Sequence, residues 1–247
     1  NDYAGHLLLV LPILAFVVLR PPKVLLLQTI SRLIGIAVLI VGLYLIVASG
    51  SRGAILAIAG VLVYLFLKLK ASGRLAVVLL VPLLALGIIP ILPEHTLNRL
   101  QSYSDEPAGP SDEAGDSARL RRVLLERSII DTFTHPILGV GPGQFSNFEG
   151  ADRAAGGKQA AAWINPHNSY TQVSSENGFP GLALYLGGVI SSFLLLKRTH
   201  KKIQGYPELK ELAQGSFCVL VGFMGYSIAI GFLNFAYFYY FPAIAGW

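Results

Sequence analysis

Apolar runs of bilayer length recur along this chain, and that alone removes most fold classes. A hydrocarbon core about 30 Å thick takes about 20 apolar residues in a helix. Inside lipid the backbone polar groups must be satisfied within the segment itself. Six runs fit, at 5–20, 32–49, 52–68, 74–92, 179–196 and 211–233. The first is short and carries Pro12, so it tilts, kinks or starts earlier. Residues 235–247, rich in aromatics, read as an interfacial belt or the approach to a seventh crossing.

Composition agrees. Only 13% of the 247 residues are charged and 53% are hydrophobic, where a soluble domain carries about 25% charged residues. A soluble enzyme, a disordered chain and a disulfide scaffold are excluded, the last because Cys218 is the one cysteine. The expected fold is all-α, a polytopic transmembrane helical bundle. Its parts are residues 1–92 with four crossings, a large loop 93–178 that contains helices, and residues 179–247 with the C-terminal crossings.

Charge fixes the expected orientation. The net charge of +5 reads as topology rather than nucleic-acid binding. Arg20, Lys23 and Arg32 bracket the first connection, and Lys68, Lys70 and Arg74 the third. Lys197, Arg198, Lys201, Lys202 and Lys210 fill the fifth. The positive-inside rule makes these connections cytoplasmic and places the turn at 49–53 and the loop 93–178 outside. No Asp, Glu, Lys or Arg lies in the middle of a crossing, which argues against an ion-coupled carrier. The polar chemistry gathers at the outer face.

The outer loop is too long for a plain connection. Residues 101–117 (QSYSDEPAGPSDEAGDS) read as a mobile linker rather than a calcium loop. A helix is expected from Ser117 to Phe133, capped by Asp116 or Ser117. Arg119, Arg121 and Arg122 fall near its start, where the helix dipole disfavours cations and an external anion is called for. That anion is a ligand or a lipid phosphate. On the helical wheel Arg121 shares a face with Leu125, Ser128 and Thr132, whereas Arg119 and Arg122 point elsewhere.

The run His135-Pro136-Ile137-Leu138-Gly139-Val140-Gly141-Pro142-Gly143 follows. No strand is expected before it and no clear helix after it, so it reads as a chain-reversing turn rather than a nucleotide loop. His167 stands where the loop re-enters the membrane, with Asn165, Asn168, Ser169, Tyr170 and Glu176 around it. A lone histidine is more often structural, but this polar company favours a site. Arg52, in a tight Ser-Arg-Gly turn, reads either as a snorkelling interfacial residue or as part of a ligand site.

In order and spacing these motifs resemble the O-antigen ligase family, a superfamily shared with some O-antigen and exopolysaccharide polymerases. The features are Ser51-Arg52-Gly53-Ala54, an arginine fourteen residues before His135, then His167-Asn168-Ser169-Tyr170 and Glu176-Asn177-Gly178-Phe179-Pro180-Gly181. The resemblance covers most of the chain, which corresponds to the C-terminal half of the family's usual length. It implies a GT-C-like membrane glycosyltransferase in the bacterial inner membrane with its large loop periplasmic. It implies a donor glycan on undecaprenyl diphosphate, an acceptor that is the lipid A core or another lipid-linked glycan, and no metal or other cofactor. It carries over Arg52, Arg121 and His167 as catalytic residues. Arg52, Arg121, Asn168, Tyr170 and Glu176 are expected to bind substrate. The family often has Trp four residues after the loop arginine, where this chain has Leu125. A ligase, a polymerase extending a lipid-linked glycan, and a non-catalytic transport or scaffold subunit of envelope glycan assembly all stay open. A glycosidase needs two carboxylates flanking the bond, and nothing in the sequence pairs Glu149, Asp152 and Glu176.

Overall fold

A computed structural model describes residues 2–18, 25–94, 96–97, 113–155 and 164–237. Among them all regular structure is helical: α1 Asp2–Val18, α2 Leu25–Ala48, α3 Arg52–Lys68, α4 Ala71–Ile88, α5 Glu113–Thr134, α6 Phe145–Ala155, α7 Ser169–Ile203 and α8 Lys210–Ala229. Among the described residues each expected crossing is a helix over nearly all of its length. Four stretches are long and apolar enough to span a bilayer: Thr29–Ala48, Ala71–Ile91, Ser169–Ile203 and Pro207–Phe232. α1 and α3 are 17 residues each, about 25 Å at the helical rise. α1 begins at Asp2 and runs through Pro12.

The chain forms two compact units, Asn1–Asp105 with Phe193–Ala229 and Glu106–Ser192 with Ile230–Trp247. In the first, α8 packs on α1 and α3. Small residues let these helices approach closely, as membrane packing favours. A Cβ on Gly222 would lie 2.5 Å from the Leu9 carbonyl oxygen, and one on Gly42 2.6 Å from Leu11. Gly215 meets Phe16, Gly222 meets Leu9 and Gly225 meets Leu8, so α1 and α8 run antiparallel. Gly35 meets Val18 and Gly42 meets Leu11, so α1 and α2 do too. α4 buries none of its residues, as suits an apolar helix solvated by lipid. Serine hydroxyls in the spans turn back to their own helix, as Ser227 does to the Phe223 carbonyl at 2.7 Å.

This antiparallel arrangement gathers the basic residues. Arg32 lies inside α2 rather than flanking it, because that helix is already formed at Leu25. Arg32, the α3–α4 corner and the α7–α8 corner all fall at one end of the first unit. At the α3–α4 corner the Arg74 guanidinium donates to the carbonyls of Phe66 (2.9 Å) and Leu69 (3.0 Å), capping the negative end of α3. At the α7–α8 corner His200 Nδ1 pairs with the Ala213 carbonyl at 2.8 Å. Arg20 and Lys23 lie outside the described residues, as do residues 101–112 of the expected linker and residues 238–247 of the expected belt.

The second unit contains α5, α6, the first 24 residues of α7 and residues 230–237. Two expectations are corrected here. α5 is already helical at Glu113, so Asp116 and Ser117 lie within the helix and do not cap it. A helix does follow the glycine turn: α6 covers 11 residues, with Phe145 and Glu149 buried. α7 is broken at Gly178 (φ 67°, ψ −170°), a conformation open essentially to glycine alone. Pro180 then falls in the first turn of the second segment, where no amide is needed.

Candidate functional site

Arg52 is the first residue of α3 and half-buried. Its turn is built by short-range bonds. Gly50 takes φ 58°, the Ser51 hydroxyl accepts from the Ala54 amide at 3.4 Å, and buried Thr96 donates to the Ala48 carbonyl at 3.0 Å. Thr96 comes from the start of the outer loop and was not foreseen. A cation at a helix N-terminus works against the dipole, so this turn suits an anion beside it.

The remaining predicted site residues all lie in the second unit. The buried stripe of α5 is Leu124, Ser128, Asp131 and Thr132, and Arg121 continues it one turn back. Arg121 is half-buried with its Nε out of reach of solvent. Arg119 is exposed. Arg122 is 82% exposed and pairs with Glu126 on the same helix at 3.3 Å. The wheel therefore separates the three arginines correctly.

α5 and the first segment of α7 run side by side in the same direction. The Phe179 amide donates to the Pro136 carbonyl at 2.8 Å. Several residues earlier on both chains, the Thr132 and Ser174 hydroxyls meet at 2.8 Å. From that bond, Arg121 lies about 16 Å back along α5, and the start of α7, two residues after His167, about 8 Å back at the helical rise. Both stand at the same end of this helix pair.

His167 is half-buried and precedes the N-cap of α7, next to buried Pro166. Asn168 is that cap: its Oδ1 accepts from the amides of Tyr170 (2.9 Å) and Thr171 (3.1 Å). The pattern Asn-Ser-Tyr-Thr opening a helix was the sequence signal for this. The Tyr170 ring meets Tyr185 edge-on at 6.0 Å. Ser169 is fully buried; its hydroxyl donates to the Leu233 carbonyl at 2.7 Å and accepts from the Phe235 amide at 2.8 Å.

Glu176 is wholly buried. Its carboxylate accepts from the Gly143 amide at 3.0 Å, the Phe145 amide at 3.3 Å and the Tyr237 hydroxyl. Phe145 opens α6, so the carboxylate also meets the positive end of that helix. The Val140 and Gly141 amides donate to the Ser175 and Glu176 carbonyls at 2.8 and 3.0 Å. The glycine turn is thus clasped onto the break in α7. A Cβ on Gly139 would sit 2.3 Å from the Glu176 carbonyl carbon, and one on Gly178 2.5 Å from the Pro136 oxygen. Tyr237 also accepts from Asn177 at 2.9 Å. Burial, then the bond to Glu176, pushes its phenol pKa well above the ordinary value. Glu149, 3% exposed on α6, faces Arg127 at 3.9 Å. Glu149 and Glu176 therefore each serve separate partners.

Fold and charge define a polytopic helical membrane protein with most of its buried polar residues in one unit. A family model described as O-antigen ligase matches residues 36–186, well over half of the chain, and the chain belongs to that family. The family is one of membrane glycosyltransferases of the ligase and polymerase kind, acting on lipid-linked glycans. The match takes in Arg52, Arg121, His167, Asn168, Tyr170 and Glu176. No curated protein matches the chain.

Proposed function

We propose that this protein transfers a glycan from undecaprenyl diphosphate to the lipid A core at the periplasmic face of the inner membrane. The observation that carries the reading is the placing of Arg121. Of three neighbouring arginines it alone continues the buried face of α5, at the end of the helix pair where His167 stands. Arg32 and the basic residues of the α3–α4 and α7–α8 corners, at one end of the first unit, support the orientation.

The donor's leaving group is a lipid diphosphate, stable as an anion, so a strong general acid is not required. As the anomeric C–O bond to the diphosphate breaks, the electron pair stays on the bridging oxygen. Arg52 and Arg121 hold that growing charge with permanently protonated, bidentate groups. Each charge-assisted bond contributes about 1.5–3 kcal/mol, which two arginines turn into several powers of ten in rate. The attacking sugar hydroxyl gives its proton to neutral His167 as the new C–O bond forms. Asn168 and Tyr170 stand beside His167 and complete the binding group. The charge at the leaving oxygen is met by guanidinium groups, so the mechanism is metal-independent. The displacement is direct and inverts the anomeric centre.

The test is reconstitution in lipid nanodiscs with an undecaprenyl-diphosphate glycan and, separately, lipid A core or a second lipid-linked glycan. Transfer to the core with inversion supports the reading. Extension of the second lipid-linked glycan makes the chain a polymerase. Retention overturns direct displacement, and no transfer to either acceptor by folded protein makes it a scaffold.

A further inference from the structure

We infer that Glu176 is a positioning residue: its carboxylate fixes the glycine turn and the 233–237 strap to the first segment of α7, which carries His167 at its start. This rests on the transfer reading for its functional consequence, but its structural basis is independent.

The need for such a group follows from the turn. Gly139, Gly141 and Gly143 take positive φ, so the chain reverses in a shape that directs backbone amides inward without a sheet or helix to receive them. Buried amides left without acceptors cost about 1–3 kcal/mol each. The Val140 and Gly141 amides are met by backbone carbonyls of α7. Pro142 has no amide. The next two inward amides, of Gly143 and Phe145, are met by the two oxygens of Glu176, and the Gly143 amide also faces the Tyr237 hydroxyl oxygen. The same carboxylate takes the Tyr237 hydroxyl, and Tyr237 is the far end of a strap whose near end is bound by Ser169. Three donors converge on two oxygens that have no contact with solvent.

This makes the carboxylate hard to replace. An amide at position 176 keeps one acceptor and brings a donor, so either the Gly143 or the Phe145 amide faces an N–H and loses its bond. Tyr237 can reverse its hydroxyl; a backbone amide cannot. Glu176→Gln therefore loosens the turn while leaving the volume almost unchanged.

The experiment uses the full chain in lipid nanodiscs, with hydrogen exchange and transfer kinetics on Glu176→Gln and Tyr237→Phe. In Glu176→Gln, exchange at whichever of the Gly143 and Phe145 amides faces the new N–H is expected to rise at least tenfold (about 1.4 kcal/mol). The Val140 and Gly141 amides keep their protection. Turnover (kcat) falls about tenfold or more, and KM for the lipid-linked donor changes less than about twofold. Tyr237→Phe frees the strap while leaving the Phe145 amide protected. Unchanged exchange at Gly143 and Phe145 in Glu176→Gln overturns the inference. So does a tenfold rise in donor KM at constant kcat, which would place the carboxylate on the substrate. If Glu176→Gln does not fold, Tyr237→Phe decides: faster strap exchange with a protected Phe145 amide supports the clamp, and no change in strap exchange overturns it. Absence of transfer in the parent protein overturns the function proposed above and leaves the exchange result to judge the clamp.

Discussion

The first unit is held by aliphatic contacts and close glycine approaches, the second by hydrogen bonds. Of the twelve buried polar or charged residues among those described, Ser51 and Thr96 belong to the first unit and ten to the second. The two belonging to the first both serve the Arg52 turn. Apolar packing tolerates small shifts, because dispersion contacts are many and individually weak. A buried hydrogen bond does not, because a displaced donor loses its partner without gaining water. The contrast teaches where geometry is fixed: around the start of α7 and at the turn that presents Arg52.

The comparison can be broken at several points. Replacing His167 by alanine is expected to lower the transfer rate about 10²–10⁴-fold, with the protein still inserted and folded. A rate assay on matched protein amounts checks this, and full activity would remove the histidine from the chemistry. Gly178→Ala places a Cβ against the Pro136 carbonyl in a backbone region alanine avoids, and about 3 kcal/mol or more of stability should be lost. Thermal unfolding in detergent reads it. Gly222→Ala meets the Leu9 carbonyl at 2.5 Å, in a normal helical conformation and a more yielding apolar setting. About 1–3 kcal/mol is expected. If Gly222→Ala costs more than Gly178→Ala, the stiffness of the two units is the reverse of that argued here.

The smallest effect is the titration of Tyr237. Its folded pKa is raised by burial and by Glu176 above the ordinary phenol value of 10.0. The phenol therefore contributes stability that is fully present below about pH 10 and is lost as pH rises toward the folded value. Unfolding midpoints measured from pH 8 upward should fall in the parent protein and fall less in Tyr237→Phe. Identical slopes in both would discard this link.

Much of the fold was legible because lipid leaves few options: a long apolar run without charges must be a helix. The spacing of Lys and Arg also anticipated the alternation of the first unit's helices, whose Arg32, α3–α4 corner and α7–α8 corner share one end. The early start of α5 was hidden because Gly115, Asp116 and Ser117 prefer turns and caps, and only the downstream stripe through Ser128 and Thr132 betrays the helix. α6 was missed for a like reason: FSNFEGADRAA is short, polar and interrupted by Gly150. The inward face of Arg121 was readable from the wheel, since periodicity alone separates it from Arg119 and Arg122. The work of Glu176 was not, because its donors come from 31 and 33 residues earlier and 61 later. A glycine turn with inward amides does imply a buried acceptor somewhere; the sequence does not say which one.

The most direct test of the account compares Arg121→Ala with Arg122→Ala in the reconstituted transfer assay. The account predicts a loss of about 10²–10³-fold for Arg121→Ala and a change within about twofold for exposed Arg122→Ala. Equal losses in both, or full activity in Arg121→Ala, would contradict it.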